Sequence, residues 1–153
     1  MKELLEYRVF LVNRLEKAAQ EFCEACEALD PSTKIYKEWT LHQITVHMRD
    51  VNRLVYDMRA RKTVEEENPL FENFEPDEWM AAHYDPNEPM KDILEQFKSK
   101  VNDLCGVLAA LPVEAWSRES RHETIGEGLP LQLWVERGLA HIEEHLLEIK
   151  NHK

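Results

Sequence analysis

Two of the chain's seven histidines, His141 and His145, stand four residues apart. On a helix, at ~100° per residue, that spacing leaves them ~40° apart around the axis with a rise of ~6 Å. Two imidazoles so placed reach one metal ion at ~2.0–2.1 Å. An arbitrary pair at this spacing is more often solvated, so the surrounding pattern decides. Leu139, Ile142, Leu146 and Ile149 form an apolar stripe that His141 and His145 flank, which predicts a place at the edge of the core or inside it. His47 is the third candidate, because it stands where an apolar residue is expected between Ile44 and Val51. One histidine on an apolar face is more often a hydrogen-bonded core residue than a ligand. Three inward histidines without an ion would need three sets of partners in a low-dielectric interior. A divalent cation coordinates all three at once.

Three imidazoles are a catalytic rather than a structural donor set: structural zinc is usually closed by four protein ligands, whereas three leave a position open. Such an ion lowers the pKa of water to ~7 or deprotonates a thiol. Hydrolysis and attack by a low-molecular-weight thiol are therefore both open chemistries. Imidazole suits zinc, nickel, copper and iron, with zinc or nickel expected here. A metal-binding bundle without turnover, dimeric and stress-associated, is the alternative to an enzyme. Asp50, one turn after His47, is a candidate to orient a ligand imidazole, or an ordinary surface ion-pair residue. Gly138, one turn before His141, either leaves room above the metal or allows close helix packing. Trp134, seven positions before His141, is a candidate apolar wall of the pocket or plain core.

Two other motifs carry less. His141-Ile142-Glu143-Glu144-His145 also fits a zinc-peptidase pattern, but that pattern needs a further acidic ligand well downstream. Cys23-Glu24-Ala25-Cys26 lies within a helical repeat, without a second such pair or a βαβ context, and reads as two small residues packing. His42, His83, His122 and His152 are expected at the surface; His42 is ~140° round the helix from His47. No P-loop, Gly-x-Ser-x-Gly or dinucleotide fingerprint occurs.

The elements that must position the histidines are helical. Leu4, Leu11, Leu15, Ala18, Phe22, Cys26 and Leu29 recur at helical spacing up to Asp30-Pro31. A second helix is predicted from Thr40, a plausible cap, to about Arg61, with the stripe Ile44, His47, Val51, Leu54, Val55 and Met58. From Lys62 to Pro89 the pattern breaks, with no strand-like alternation and one short helix near Asp77–Ala82. A connection this long is usually functional or mobile, and Leu70, Phe71, Phe74, Trp79 and Tyr84 predict that it is packed down. A third helix is expected over Met90–Leu111, a short turn of helix at Glu114–Trp116, a tight turn at Gly126–Gly128, and a fourth helix over Pro130–Lys150. Four apolar stripes are most simply hidden in an all-α four-helix bundle, a single domain over residues 1–153.

Composition agrees. The chain has 153 residues, enough for a core without disulfides, and a net charge of −11. That charge repels phosphate backbones and anionic membranes, so neither nucleic acid nor membrane is an expected partner. Three cysteines do not make a complete disulfide framework, and no apolar run suits a signal peptide or a membrane span; a cytoplasmic protein with reduced thiols is expected.

The order of several weak motifs resembles the DinB/YfiT-like metalloenzyme superfamily, the DinB-like domain in particular. The residues that carry the likeness are Trp39-Thr40 followed by His47, then Trp79 and Tyr84, the Leu108–Leu111 helix end followed by Trp116, His122 and Gly126, and His141-x3-His145. The likeness spans nearly the whole chain. It implies a four-helix bundle holding a divalent metal on three histidines, which fall on His47, His141 and His145. It also implies a small-molecule substrate, in some relatives a reaction dependent on bacillithiol, mycothiol or glutathione, and often a homodimer. No catalytic base is implied.

Overall fold

In the computed structural model, which describes residues 1–152, four long rods carry the chain. They are α1 (Lys2–Glu27), the composite rod of α2 (Leu41–Val51), a π-helical turn (Asn52–Asp57) and α3 (Met58–Glu65), then α5 (Met90–Ala109) and α6 (Leu131–Asn151). A shorter α4 (Pro76–His83) and a 3-10 turn (Val113–Ser117) lie in the connections. The expected helices are all present, with ends displaced by a few residues.

Local chemistry explains the boundaries. Thr40 caps α2 with a capping box: its side chain accepts from the Gln43 backbone N–H, and the Gln43 side chain accepts from the Thr40 N–H. Pro76 occupies the first turn of α4, where its missing N–H costs nothing. Pro112 follows the end of α5 and cannot continue it.

The connections hold strands that the sequence pattern did not reveal. β1 (Lys34–Tyr36) and β2 (Trp39–Thr40) form an antiparallel pair before α2. β3 (Leu70–Phe71) pairs in parallel with β4 (Glu119–His122), which pairs antiparallel with β5 (Gly126–Pro130). The expectation of no strand between Lys62 and Pro89 thus fails at β3, because two residues are too few to show a period of two. The tight turn is at Glu123–Ile125 rather than Gly126–Gly128. Gly126 instead opens β5 at φ +117°, and Gly128 follows at φ +68°, angles that side-chain-bearing residues rarely adopt.

α1 packs against α5 and α6, and the composite rod packs against α5 and α6. The core runs through Leu11, Leu15, Phe22, Phe97, Leu108 and Ile142. Phe71 and Trp134 pin the β3 segment to α6, with ring centroids 5.6 Å apart. Leu70, expected as a second anchor, is exposed. Among the described residues no helix is long and apolar enough to cross a membrane.

Candidate metal centre

His47 on α2 and His141 and His145 on α6 converge. Each offers a ligand atom within 4.8 Å of the others, and their ring centroids are 4.7–5.1 Å apart. The Nε2 atoms of His47 and His141 are 3.1 Å apart. Two nitrogens that close need a shared proton or a cation between them. Two ligands held at ~2.0–2.1 Å by a tetrahedral ion would themselves be about 3.3 Å apart. The donor set therefore fits a divalent metal.

The environment favours the neutral, ligating form. Burial, then the neighbouring His145, pulls the His47 pKa down to about 4. Burial first, then His145 and His47, pulls that of His141 well below its ordinary value. Glu148 lies 3.1 Å from His145 Nδ1, leaving Nε2 of that ring for the cluster. This is the carboxylate–imidazole arrangement that fixes a ligand's tautomer. His141 Nδ1 is buried without a hydrogen-bond partner, so packing sets that ring's orientation, with Tyr56 at 5.3 Å. Trp39 stands edge-on to His47 at 5.6 Å.

The secondary candidates fare differently. Asp50 touches no imidazole: it accepts from Arg49 Nε at 2.9 Å and Trp79 Nε1 at 3.1 Å, and so ties α4 to α2. Gly138 opens no space above the histidines. A Cβ there would meet Tyr56 Cβ at 3.2 Å, so the glycine serves close packing of α6 on the π-helical turn. Trp134 is fully buried core, donating from Nε1 to Ser120 Oγ at 2.7 Å, and does not line the cleft beside His47 and His141.

Two histidines expected at the surface are buried. His42 Nδ1 is 2.6 Å from the Tyr84 hydroxyl and its Nε2 is 2.6 Å from the Glu88 carbonyl, bridging α2 to the segment before α5. It lies outside the cluster, as its angle on the helix predicts. His122 lines the same cleft as His47 and His141. Its Nδ1 accepts from the Thr124 and Ile125 N–H groups, both at 3.1 Å, which puts the neutral ring's proton on Nε2.

That cleft, about 370 Å³, also takes Tyr56 and Arg59 from the composite rod and Arg137 from α6. Arg59 is twelve residues past His47, ~120° off its face in a regular α-helix. The wide π-helical turn between them absorbs roughly one extra residue, which rotates Arg59 to within ~20° of that face. No spacing in the sequence announces that shift. Glu148, by contrast, was findable at three residues past His145.

Fold and cluster together define a helical bundle with three imidazoles gathered between two rods, two of them, His47 and His141, at the wall of an open cleft. The chain belongs to the DinB superfamily, whose family description matches residues 14–149. A similar solved structure is YfiT from Bacillus subtilis, described as a probable metal-dependent hydrolase with an unusual four-helix bundle topology. The two share 18% sequence identity at a TM-score of 0.84, over 95% of this chain and 85% of that one. At that identity the likeness speaks for the fold. A search of curated proteins found no match.

Proposed function

We propose that the chain is a metal-dependent enzyme acting on a small molecule, with hydrolysis as its first-choice reaction. His47, His141 and His145 would hold one divalent cation, zinc or nickel. The observation that carries this reading is the meeting of three ligand atoms within 4.8 Å beside an open cleft. The description of YfiT as a probable metal-dependent hydrolase supports the reaction type. A cation held there supplies Lewis acidity, which activates water or a thiol and polarises a carbonyl. The chain's own residues do the rest: Glu148 holds the His145 ring, Tyr56 backs His141, and His122 offers an Nε2–H donor in the cleft. A thiol-transferase reaction would need its thiol from outside, since Cys23, Cys26 and Cys105 are buried.

The test uses protein purified without a His tag, with and without metal, against activated esters, amides, and labile electrophiles offered with low-molecular-weight thiols. Metal-dependent turnover of esters or amides in water is expected. Turnover only with a thiol would move the reaction to transfer. Stoichiometric metal with no rate above the chelated control would leave a metal-binding bundle without turnover.

A further inference from the structure

The cleft beside the histidines has a charge opposite to that of the chain. The protein carries 30 acidic residues and a net charge of −11, yet no Asp or Glu lines this cleft, while Arg59 and Arg137 do. Arg59 is only 6% exposed. Its Nη2 donates to the Glu72 carbonyl at 2.9 Å, and its guanidinium lies over the Trp134 ring at 4.9 Å. Its Nε has no hydrogen-bond partner. Among the described residues no carboxylate comes within ion-pair distance of either arginine, although most other arginines of the chain have one. A guanidinium buried without a counter-charge is costly. Stacking and one carbonyl leave that cost only partly offset, and the Arg137 charge nearby adds to it. An anion entering the cleft would relieve both, and guanidinium groups suit the planar, bidentate demands of an oxyanion. His122 Nε2–H adds a neutral donor on the same wall, and Val51, Val55 and Phe74 supply apolar surface.

We propose that this cleft binds small molecules carrying an oxyanion, a carboxylate or a phosphate, which Arg59 and Arg137 hold while the rest of the molecule lies against the histidine cluster. The inference rests on the enzymatic reading for its meaning, as a statement of substrate class, but not for its test. Arg59 forms the inner contact and the exposed Arg137 the outer one.

Calorimetric titration of the full chain, metal-loaded and chelated, tests it with benzoate, with benzamide as its uncharged counterpart, and with inorganic phosphate. The expected result is that benzoate or phosphate binds at least about tenfold more tightly than benzamide. The better of the two anions identifies which oxyanion the site prefers. Arg137→Gln should weaken that anion about tenfold and leave benzamide unchanged. Arg59→Gln should abolish the preference, with Arg59→Lys retaining part of it. The same arginine dependence should persist after chelation, because the guanidinium groups hold the anion. Equal affinity for benzoate, phosphate and benzamide would overturn the proposal, as would anion binding unaltered by Arg137→Gln. Should Arg59→Gln unfold, Arg137→Gln and Arg59→Lys still decide. The two readings fail differently: without a metal site, anion binding still follows the arginines, whereas without an anion site the metal binds and the arginine variants are silent.

Discussion

Where α1 meets α5, the interior is packed with apolar side chains: Phe22 and Phe97 meet edge to face at 5.4 Å, and Cys23 and Cys105 pack beside apolar neighbours. Where the composite rod meets α6, the same bundle gathers three imidazoles, a buried guanidinium and an open cleft. Of the four buried side-chain atoms without a partner among the described residues, Arg59 Nε and His141 Nδ1 belong to residues that line this cleft, while Asn52 Nδ2 and Asp57 Oδ2 lie elsewhere on the composite rod, Asp57 facing Lys100 of α5. Apolar burial stabilises in proportion to area and needs no ligand. Polar atoms left inside without partners cost free energy unless something else binds them. One side of the bundle therefore maintains the fold, and the other spends part of that stability on a site.

The sharpest break of this contrast is His141→Ala. It should abolish stoichiometric metal binding, about one ion per chain in the parent, while circular dichroism shows the helices intact. Metal analysis of tag-free protein that finds the variant loaded like the parent would remove His141 from the site. Phe97→Ala should do the reverse. Phe97 is 1% exposed, and truncating a buried Phe costs about 3–5 kcal/mol, read from urea unfolding. In whatever fraction stays folded, metal affinity should be unchanged. Coupled losses in both variants would show that the two sides are not separate.

How far the site could be read from the sequence follows from the reach of each signal. His141 and His145 are a local pattern on one helix, and His47 interrupts a stripe, so the cluster is legible in the sequence. The helices are too, because their stripes repeat over many turns. Arg59 is not: the stripe extrapolates through Leu54 and Met58, but beyond Asn52 the buried positions are Val55, Asp57, Arg59, Ala60 and Thr63. The π-helical turn changed the register, and no residue type marks it. His122 and Arg137 come to one cleft from a hairpin and a helix, a juxtaposition only tertiary structure creates. Asp50 misled because its spacing suited an imidazole, while α4 folded back to bring Trp79 to its carboxylate.

A smaller effect is expected at Glu148. Replacing it with Gln keeps the shape but removes the charge that orients His145. Metal affinity should fall about 10–100-fold, as for loss of a carboxylate behind a ligand histidine, and competition with a chelator of known affinity measures it. A loss as complete as that of His141→Ala would make Glu148 a ligand itself.

The mildest test falls on the apolar side. Burial pushes the Cys23 and Cys105 thiols up from an ordinary 9.0 to about 12, and that of Cys26 higher still. The folded state thus holds these protons at pH values where the unfolded chain releases them. Stability contributed by each thiol is full below pH 9 and is lost as pH rises from 9 toward 12, by up to about 1.4 kcal/mol per pH unit. Cys105→Ala removes one such group, so its urea-derived stability should fall less steeply between pH 9 and 10 than the parent's, by roughly that slope. Both proteins are chelated throughout, so metal loss adds nothing. Below pH 9 the two curves should run parallel. Equal slopes above pH 9 would mean that Cys105 ionises in the folded chain, so that water reaches a thiol that is only 3% exposed.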